Sequence, residues 1–269
     1  MISSLQLLSS GSECFDDAKL YGSVVGTLQY LCITRPDISF AVSKVSQFMH
    51  SPLLSHWKAV KRILSYLQGT KEHGLLIHPS SDYRLYGFAN TDWAADLEDR
   101  RSISGYCVFL EPNLVTWCCR KQTTISRSST EAEFRSLAAC EGELVWLTNL
   151  LTELKIPMKT IPTIFCDNLS IVLLTTNPVQ HNRTKHFQLD VQIIREKLKA
   201  NSLHVIHIPG HEQVADILPR PLSATAFQRL KDKLRVIQRP HSSLRGAVEA
   251  GKEAQGHGLI KKVQEIVKS

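Results

Sequence analysis

The feature that most constrains the fold is a change of apolar period at Gly74. Before it, apolar residues recur three and four apart, the spacing of helices that bury one face. Val24, Leu28 and Leu31 share one such face. Arg35-Pro36-Asp37 opens a second helix with Ile38, Ala41, Val42, Val45, Phe48 and Met49 spaced for burial, and Ser51-Pro52 closes it. A third helix carries Trp57, Val60, Leu64 and Leu67 opposite Lys58, Lys61 and Arg62, with Gly69 suited to a C′ position. After Gly74 the period is that of strands. Residues 75–77, 85–88, 105–110 and 114–119 are short apolar runs, separated by Pro112-Asn113 and by a charged turn over residues 96–101. The last three runs predict a meander.

The stretch "SSTEAEFRSLAACEGELVWLTNLL" then returns to helical spacing at Ala132, Leu137, Leu144, Leu147 and Leu151, with Ser129 placed to cap it. "TIFCDN" reads as a buried strand entering a helix, "TKHFQLDVQIIREKLKA" as a helix, "LHVIHI" as a strand and "HEQVADIL" as the start of a final helix. From Leu85 the order is β-β-β-α-β-α-α-β-α, which demands a mixed sheet flanked by helices, antiparallel first and parallel later. The expected organisation is a loose lead-in (1–18), a small helical module (19–74), an α/β domain (75–222) and a basic extension (223–269). The last 27 residues, with a weak apolar repeat at Leu259, Val263 and Ile266, read as a flexible appendix.

Charge and cysteine usage narrow the class. Residues 225–269 hold ten of the 32 Lys/Arg against four of the 25 Asp/Glu, so 22 face 21 in the rest and the body is near neutral. The net charge of +7 is therefore not by itself a sign of nucleic-acid binding. Seven cysteines, at 14, 32, 107, 118, 119, 140 and 166, include no CxxC pair and no zinc spacing, and read as reduced thiols in an intracellular compartment. Cys118-Cys119 reads as a strand with one thiol on each face. Residues 1–17 lack the basic and apolar blocks of a signal peptide, and no stretch approaches the roughly 18 apolar residues of a membrane span. A soluble intracellular protein is expected, with cytoplasm and nucleus not distinguished.

Three acids fall at matching places: Glu133 in the first turn of the long helix, Asp167 at the end of "TIFC" and Asp216 in the last helix. Active sites of open sheets gather at the carboxyl ends of strands, and a carboxylate ending a buried strand is costly unless neutralised. Grouped carboxylates around hard cations are what metal-assisted phosphoryl hydrolysis uses, with two Mg²⁺ about 4 Å apart.

The stretches "YGSVVGTLQYLCITRPDISFAVSKVSQFMHSP", "HWKAVKRILSYLQGTKEHGLL", "DWAADLEDRRSISGYCVFL", "WCCRKQTTISRSSTEAEFRSLA", "FCDNLSIVLLTTNPVQHNRTKH", "IREKL" and "ADILPRPL" follow one another over about residues 20–240. In that order they resemble the C-terminal part of a copia-type LTR retrotransposon Pol polyprotein: the connection segment of its reverse transcriptase followed by its ribonuclease H domain. The aspartate pair of the polymerase site is missing from this sequence, so polymerase activity would belong to upstream sequence. The resemblance implies a ribonuclease H-like mixed five-stranded sheet behind a helical connection module, and an Asp-Glu-Asp-Asp site for two Mg²⁺ (or Mn²⁺). It assigns Glu133, Asp167 and Asp216 to the last three positions. The family segment that usually reads Ser-Asp-Ala-Asp-Trp is here Ala89-Asn90-Thr91-Asp92-Trp93, so Asn90 stands at the first aspartate position.

Asn90 can offer a metal one neutral oxygen and cannot bridge two cations. Asp92 shares the strand face and is the nearest stand-in, about 7 Å along the strand. The function implied is hydrolysis of the RNA strand of an RNA/DNA hybrid, weakened or lost through Asn90. The alternative is a non-catalytic remnant that binds nucleic acid through Arg120, Lys121, Arg127, Arg183, Lys185 and His211. His186 and His211 are expected near the cleft, where a loop histidine could assist proton transfer or product departure, and Arg195, like Arg183 and Lys185, could contact phosphate. Trp93 alone of the four tryptophans is a candidate for stacking on bases, while Trp57, Trp117 and Trp146 read as packing residues. The implied partners are a hybrid or other nucleic acid and the upstream reverse transcriptase segment.

Overall fold

A computed structural model describes residues 7–80, 83–176 and 188–239. The side chain of Asp17 accepts a hydrogen bond from the Leu20 amide at 2.8 Å and starts α1 (Ala18–Leu31). Pro36 opens a 3-10 turn that runs into α2 (Ser39–Ser46), and α3 (Leu54–Gly69) follows. The expected faces meet: Tyr21, Val25, Leu28, Ile38, Val42, Val45, Trp57, Val60, Ile63 and Leu64 form one buried cluster. A buried ion pair, Arg35–Asp37 at 2.8 Å, ties the 3-10 turn to the end of α3, where Tyr66 donates to Asp37 at 2.7 Å and the Thr70 carbonyl accepts from Arg35 at 3.1 Å. Such a pair is kept in a core only when its remaining polar atoms are satisfied in this way.

The end of the lead-in is less loose than its Ser-rich composition suggested. Phe15 stacks on Trp57 at 4.7 Å, and its amide bonds the Pro52 carbonyl at 2.9 Å. The Glu13 carbonyl also accepts from the Leu54 amide at 2.9 Å, and the Leu8 carbonyl bonds the His56 ring at 2.9 Å, long-range contacts that composition could not reveal.

β2 (Leu85–Asp92), β3 (Ile103–Leu110) and β4 (Asn113–Lys121) form the expected meander. β5 (Thr163–Cys166) lies parallel to β2, and β6 (His204–His207) parallel to β5, giving the order β4-β3-β2-β5-β6. The sheet is mixed and five-stranded, as expected. α4 (Ser129–Glu153) and α6 (Gln188–Lys199) cover one face; Leu85, Ala89, Phe134, Leu137, Cys140, Leu144, Ile164 and Ile194 fill the space between. α5 (Leu169–Thr176) follows β5. The cap of α4 is Ser128 rather than Ser129: its hydroxyl accepts from the Glu131 amide at 3.1 Å. Cys118 packs against this core and Cys119 against the one on the opposite face, as their alternation requires.

Two features depart from the sequence reading. Part of the basic extension is folded: Ser223 caps α7 (Ala224–Lys233), and β7 (Val236–Gln238) pairs antiparallel with β1 (His73–Leu75) as a separate two-stranded sheet. Leu230, Leu234 and Val236 pack with Cys107, Phe109 and Leu114 on the second face of the main sheet. Their spacing was masked by the Lys and Arg density around them. The residues from 240 onward, and with them the expected appendix, lie outside the described residues. Second, "HEQVADIL" forms two 3-10 turns, Gly210–Glu212 and Val214–Ile217, and no α-helix. Pro219 cannot donate the bond that a continuing helix needs, so the segment stops after one tight turn.

That turn sits close to the sheet because β3 has a glycine beneath it. A Cβ on Gly105 would come within 2.6 Å of Pro219 and 2.7 Å of Leu218. Gly87 does the same for α4: a Cβ there would meet the Cys140 sulfur at 2.6 Å. Trp57 and Trp117 are packed as expected, the latter donating to the Cys32 carbonyl at 3.1 Å, whereas Trp146 is 58% exposed on the outer side of α4. All seven cysteines are free thiols. Among the described residues no helix is long and apolar enough to cross a membrane.

Candidate active site

Asn90 faces Gly105 across the β2–β3 ladder and is 5% exposed. Its carbonyl oxygen accepts from the Thr91 amide at 2.7 Å, and its amide nitrogen donates to the Asp216 carboxylate. The strand end is held from both sides. Ser136 of α4 donates to the Asn90 and Gly105 carbonyls at 2.9 and 3.1 Å, and Thr91 and Gln122 both donate to the Ala132 carbonyl, at 3.2 and 2.9 Å.

The structure brings the three expected acids to this strand end. Asp167 follows β5, Glu133 projects from the second turn of α4, and Asp216 lies in the 3-10 turn packed over Gly105. Burial pushes the Glu133 carboxyl up to about 7; the Asp167 charge adds to the rise, while a hydrogen bond with Asn168 and the Arg220 charge oppose it. Its Oε2 is buried without a hydrogen-bond partner. Burial also raises Asp216, against the opposing pull of Arg220 and Asn90.

Gln213, which the sequence reading passed over, joins the three elements. It is fully buried, its amide nitrogen reaches the Ala89 carbonyl at 3.1 Å and Asp167 Oδ1 at 3.4 Å, and its oxygen caps the Asp216 turn by accepting from the Ala215 amide at 3.2 Å. Arg220, also passed over, pairs its Nη2 with Asp216 Oδ1, the same oxygen that takes the Asn90 amide. The Asp216/Arg220 spacing was visible in the sequence, but only the turn brings the pair to the strand end.

Asp92 stays on the Asn90 face but lines a cavity of about 330 Å³ between the helical module and the site, together with Lys44, Arg62, Asp96 and Arg220. Burial raises its carboxyl, opposed by Arg220 and Lys44 and reinforced by Asp216.

The donor set does not fit a two-ion centre as it stands. Asn90 presents an N–H to Asp216, Arg220 occupies the same carboxylate oxygen, and Gln213 engages Asp167. Among the described residues no three His, Cys, Asp or Glu side chains stand together in a way that could hold a metal ion. Glu133 Oε2, by contrast, is buried with no hydrogen-bond partner.

Of the basic candidates, Lys121 is engaged within the fold, bonded to Asp96 at 2.7 Å and Asp99 at 2.8 Å at the β2–β3 turn. Arg120 is exposed on β4. The Arg127 amide bonds Glu131 at 2.9 Å. Arg195 donates through Nε and Nη2 to the Leu174 carbonyl at 3.1 and 2.6 Å, a structural role on α5. His211 is exposed, 3.8 Å from Glu212. Arg183, Lys185 and His186 lie outside the described residues. Trp93 is 49% exposed, its ring fixed by a bond from Nε1 to the Ser126 carbonyl at 3.1 Å.

No protein-family model matches the chain. It is 44% identical over 235 residues to the "Retrovirus-related Pol polyprotein from transposon RE2" of Arabidopsis thaliana, covering 87% of this chain and 16% of that one. The chain belongs to the retrovirus-related Pol polyproteins of copia-type transposons. The transposon RE1 relative from the same plant matches at the same identity and coverage, and that of transposon TNT 1-94 from Nicotiana tabacum is 36% identical over 213 residues, 79% of this chain and 16% of the relative. The chain thus spans about one sixth of the length of these Pol polyproteins. Among solved structures it is similar to an RNase H1 isolated from compost, at 14% identity and TM-score 0.41 over 55% of this chain and 97% of that one. It is also similar to a foamy viral protease-reverse transcriptase in complex with an RNA/DNA hybrid, at 9% identity and TM-score 0.45 over 90% and 28%. These likenesses are loose, and the placement of Asn90 in this Pol segment rests on strand order and side-chain contacts.

Proposed function

We propose that the chain is the ribonuclease H-type unit of a Pol polyprotein, directed at the RNA strand of an RNA/DNA hybrid, with hydrolysis crippled at Asn90. What carries this reading is the convergence of Glu133, Asp167 and Asp216 at the carboxyl ends of β2 and β5, with a neutral amide where a fourth carboxylate would complete the set. With a carboxylate at position 90, Glu133, Asp167 and Asp216 would complete a set able to hold Mg²⁺ or Mn²⁺, which would supply Lewis-acid chemistry for phosphodiester hydrolysis. An amide that donates to Asp216 does the reverse, since it uses up a ligand oxygen and adds no negative charge. A second reading, a nucleic-acid-binding remnant that does not hydrolyse, is favoured by the double engagement of Asp216 by Asn90 and Arg220. The upstream reverse transcriptase segment is the expected covalent partner in the parent polyprotein.

Cleavage of an end-labelled hybrid by the wild type and Asn90→Asp, with Mg²⁺, with Mn²⁺ and with chelator, tests the proposal. The expected result is little or no cleavage by the wild type and a metal-dependent gain in the variant. An inert Asn90→Asp protein that also fails to bind the hybrid sinks both readings. Binding that weakens as salt rises, as release of counterions from phosphate requires, together with an inert variant, selects the second.

A further inference from the structure

We propose that Arg220 is the resident counter-cation of the acid cleft, holding Asp216 charge-compensated so that the site folds without a divalent ion and resists admitting one. The proposal rests on the reading of this strand end as an acid site of the ribonuclease H type. Four carboxylates lie within electrostatic reach of a neighbour there: Glu133 and Asp216 each feel Asp167, and Asp92, on the adjoining cavity, feels Asp216. Burying that much like charge is unfavourable unless cations accompany it. Among the described residues Arg220 is the cation bonded to the cluster, through Nη2 on Asp216 Oδ1. Its charge also reaches Glu133 and Asp92, and Lys44 of α2 adds a second from the helical module.

Three features make Arg220 a fixed occupant. Asp216 Oδ1 already accepts from both Asn90 and Arg220, so a metal ligated there would have to displace one of them. A guanidinium does not lose its proton in the range where proteins are folded, so it cannot step aside by titration. Finally, Arg220 lies between Pro219 and Pro221, whose rings restrict the backbone on both sides, and the Pro219 end is pinned against Gly105. Its Nε is buried without a partner, consistent with a side chain held by the carboxylate it pairs with and not by a wider network of bonds. Asn90 and Arg220 therefore act together: the amide removes one negative charge and the guanidinium compensates another.

The experiment is thermal melting of the full chain in chelator, in millimolar Mg²⁺ and in Mn²⁺, with calorimetric titration of Mn²⁺. It uses the wild type, Arg220→Gln, Arg220→Lys, Asn90→Asp and Asn90→Asp/Arg220→Gln. The wild type and Arg220→Lys are expected to melt at one temperature in all three solutions and to give no binding heat. Arg220→Gln is expected to melt lower in chelator and to recover in Mn²⁺ by about 2–4 °C, the shift that ligation of the native state gives a chain of this size. The double variant is expected to bind Mn²⁺ more tightly than Asn90→Asp, by about tenfold or more, since removing a competing charge-assisted bond is worth at least that much. A wild type that gains as much from Mn²⁺ as Arg220→Gln, or equal Mn²⁺ affinity for Asn90→Asp with and without Arg220, overturns the proposal. The affinity comparison between the two Asn90→Asp proteins decides it should Arg220→Gln alone not fold. Failure here with hybrid binding intact leaves the ribonuclease H-type reading standing; a metal response with no hybrid bound by any variant removes that reading alone.

Discussion

The two halves of the cleft are built by the same device and end in different states. On the α4 side, Gly87 lets the helix lie against β2, and Glu133 arrives buried with one oxygen unpartnered. On the opposite side, Gly105 lets the Pro219 turn lie against β3, and Asp216 arrives already bonded to Asn90 and Arg220. Close approach over a glycine fixes where an acid sits, while the neighbours it meets decide whether it is left open. One half keeps a ligand oxygen free at an electrostatic cost, and the other offsets part of that cost by engaging its carboxylate oxygen.

Substituting the glycines is the strongest way to break this comparison. Gly105→Ala is expected to cost about 1–3 kcal/mol, because the new methyl meets Leu218 and Pro219, including the Pro219 backbone nitrogen at 3.1 Å. It should also push Asp216 away from Asn90, so that any cleavage gained by Asn90→Asp is lost in Gly105→Ala/Asn90→Asp. Gly87→Ala meets one flexible sulfur first, and Cys140→Ala is expected to rescue it, whereas no single truncation rescues Gly105→Ala. Denaturant midpoints of Gly87→Ala with and without Cys140→Ala, and of Gly105→Ala with and without Leu218→Ala, check this; equal rescue on both sides would show that the turn is as yielding as the helix.

Glu133 gives the next largest effect, through pH. Its folded carboxyl titrates at about 7 against an ordinary 4.5, so the folded state holds the proton more tightly than the unfolded chain. The associated stability is fully present below about 4.5 and is lost as pH rises through 7. Glu133→Gln stays neutral throughout. In chelator, it should match the wild type near pH 4.5 and exceed it above pH 7, by an amount on the order of 2 kcal/mol. A gap that does not change with pH would mean that Glu133 is not held in the open, buried state described.

The basic residues give the smallest effects and separate structure from binding. Lys121→Ala is expected to lower stability by no more than about 1 kcal/mol, through Asp96 and Asp99, and to leave hybrid affinity unchanged. Arg120→Ala is expected to leave stability unchanged and to reduce the salt slope of hybrid binding by about one phosphate contact. Fluorescence anisotropy of a labelled hybrid over a salt series distinguishes them; identical behaviour of the two variants would remove Arg120 from the binding face.

Much of the fold was legible because it follows from local periodicity. The change of period at Gly74 separates the Tyr21–Trp57 core from the mixed sheet, and the order of strands and helices from Leu85 limits the sheet to very few topologies. The acids were legible for a related reason: strand ends and helix starts can be placed from period, so Glu133, Asp167 and Asp216 could be expected near one another. The folded part of the extension was not legible, because Leu230, Leu234 and Val236 are spread among Lys and Arg residues. Nor was the 3-10 form of the Asp216 segment, where Pro219 overrode a helical pattern.

The sequence by itself determined the order of elements, the family resemblance and the substitution of Asn90 for a carboxylate. Only the tertiary structure decided what that substitution means for its neighbours. Gln213 and Gly105 have no role that period or composition can show, because each acts across tens of residues or more, on Asp167 or the Pro219 turn, while the Asp216–Arg220 pair gains its meaning only where the turn brings it to Asn90. Local pattern fixes which face a side chain takes, but the neighbours that meet it there are set by how the elements pack, and these leave Glu133 Oε2 without a partner and engage Asp216 Oδ1 twice.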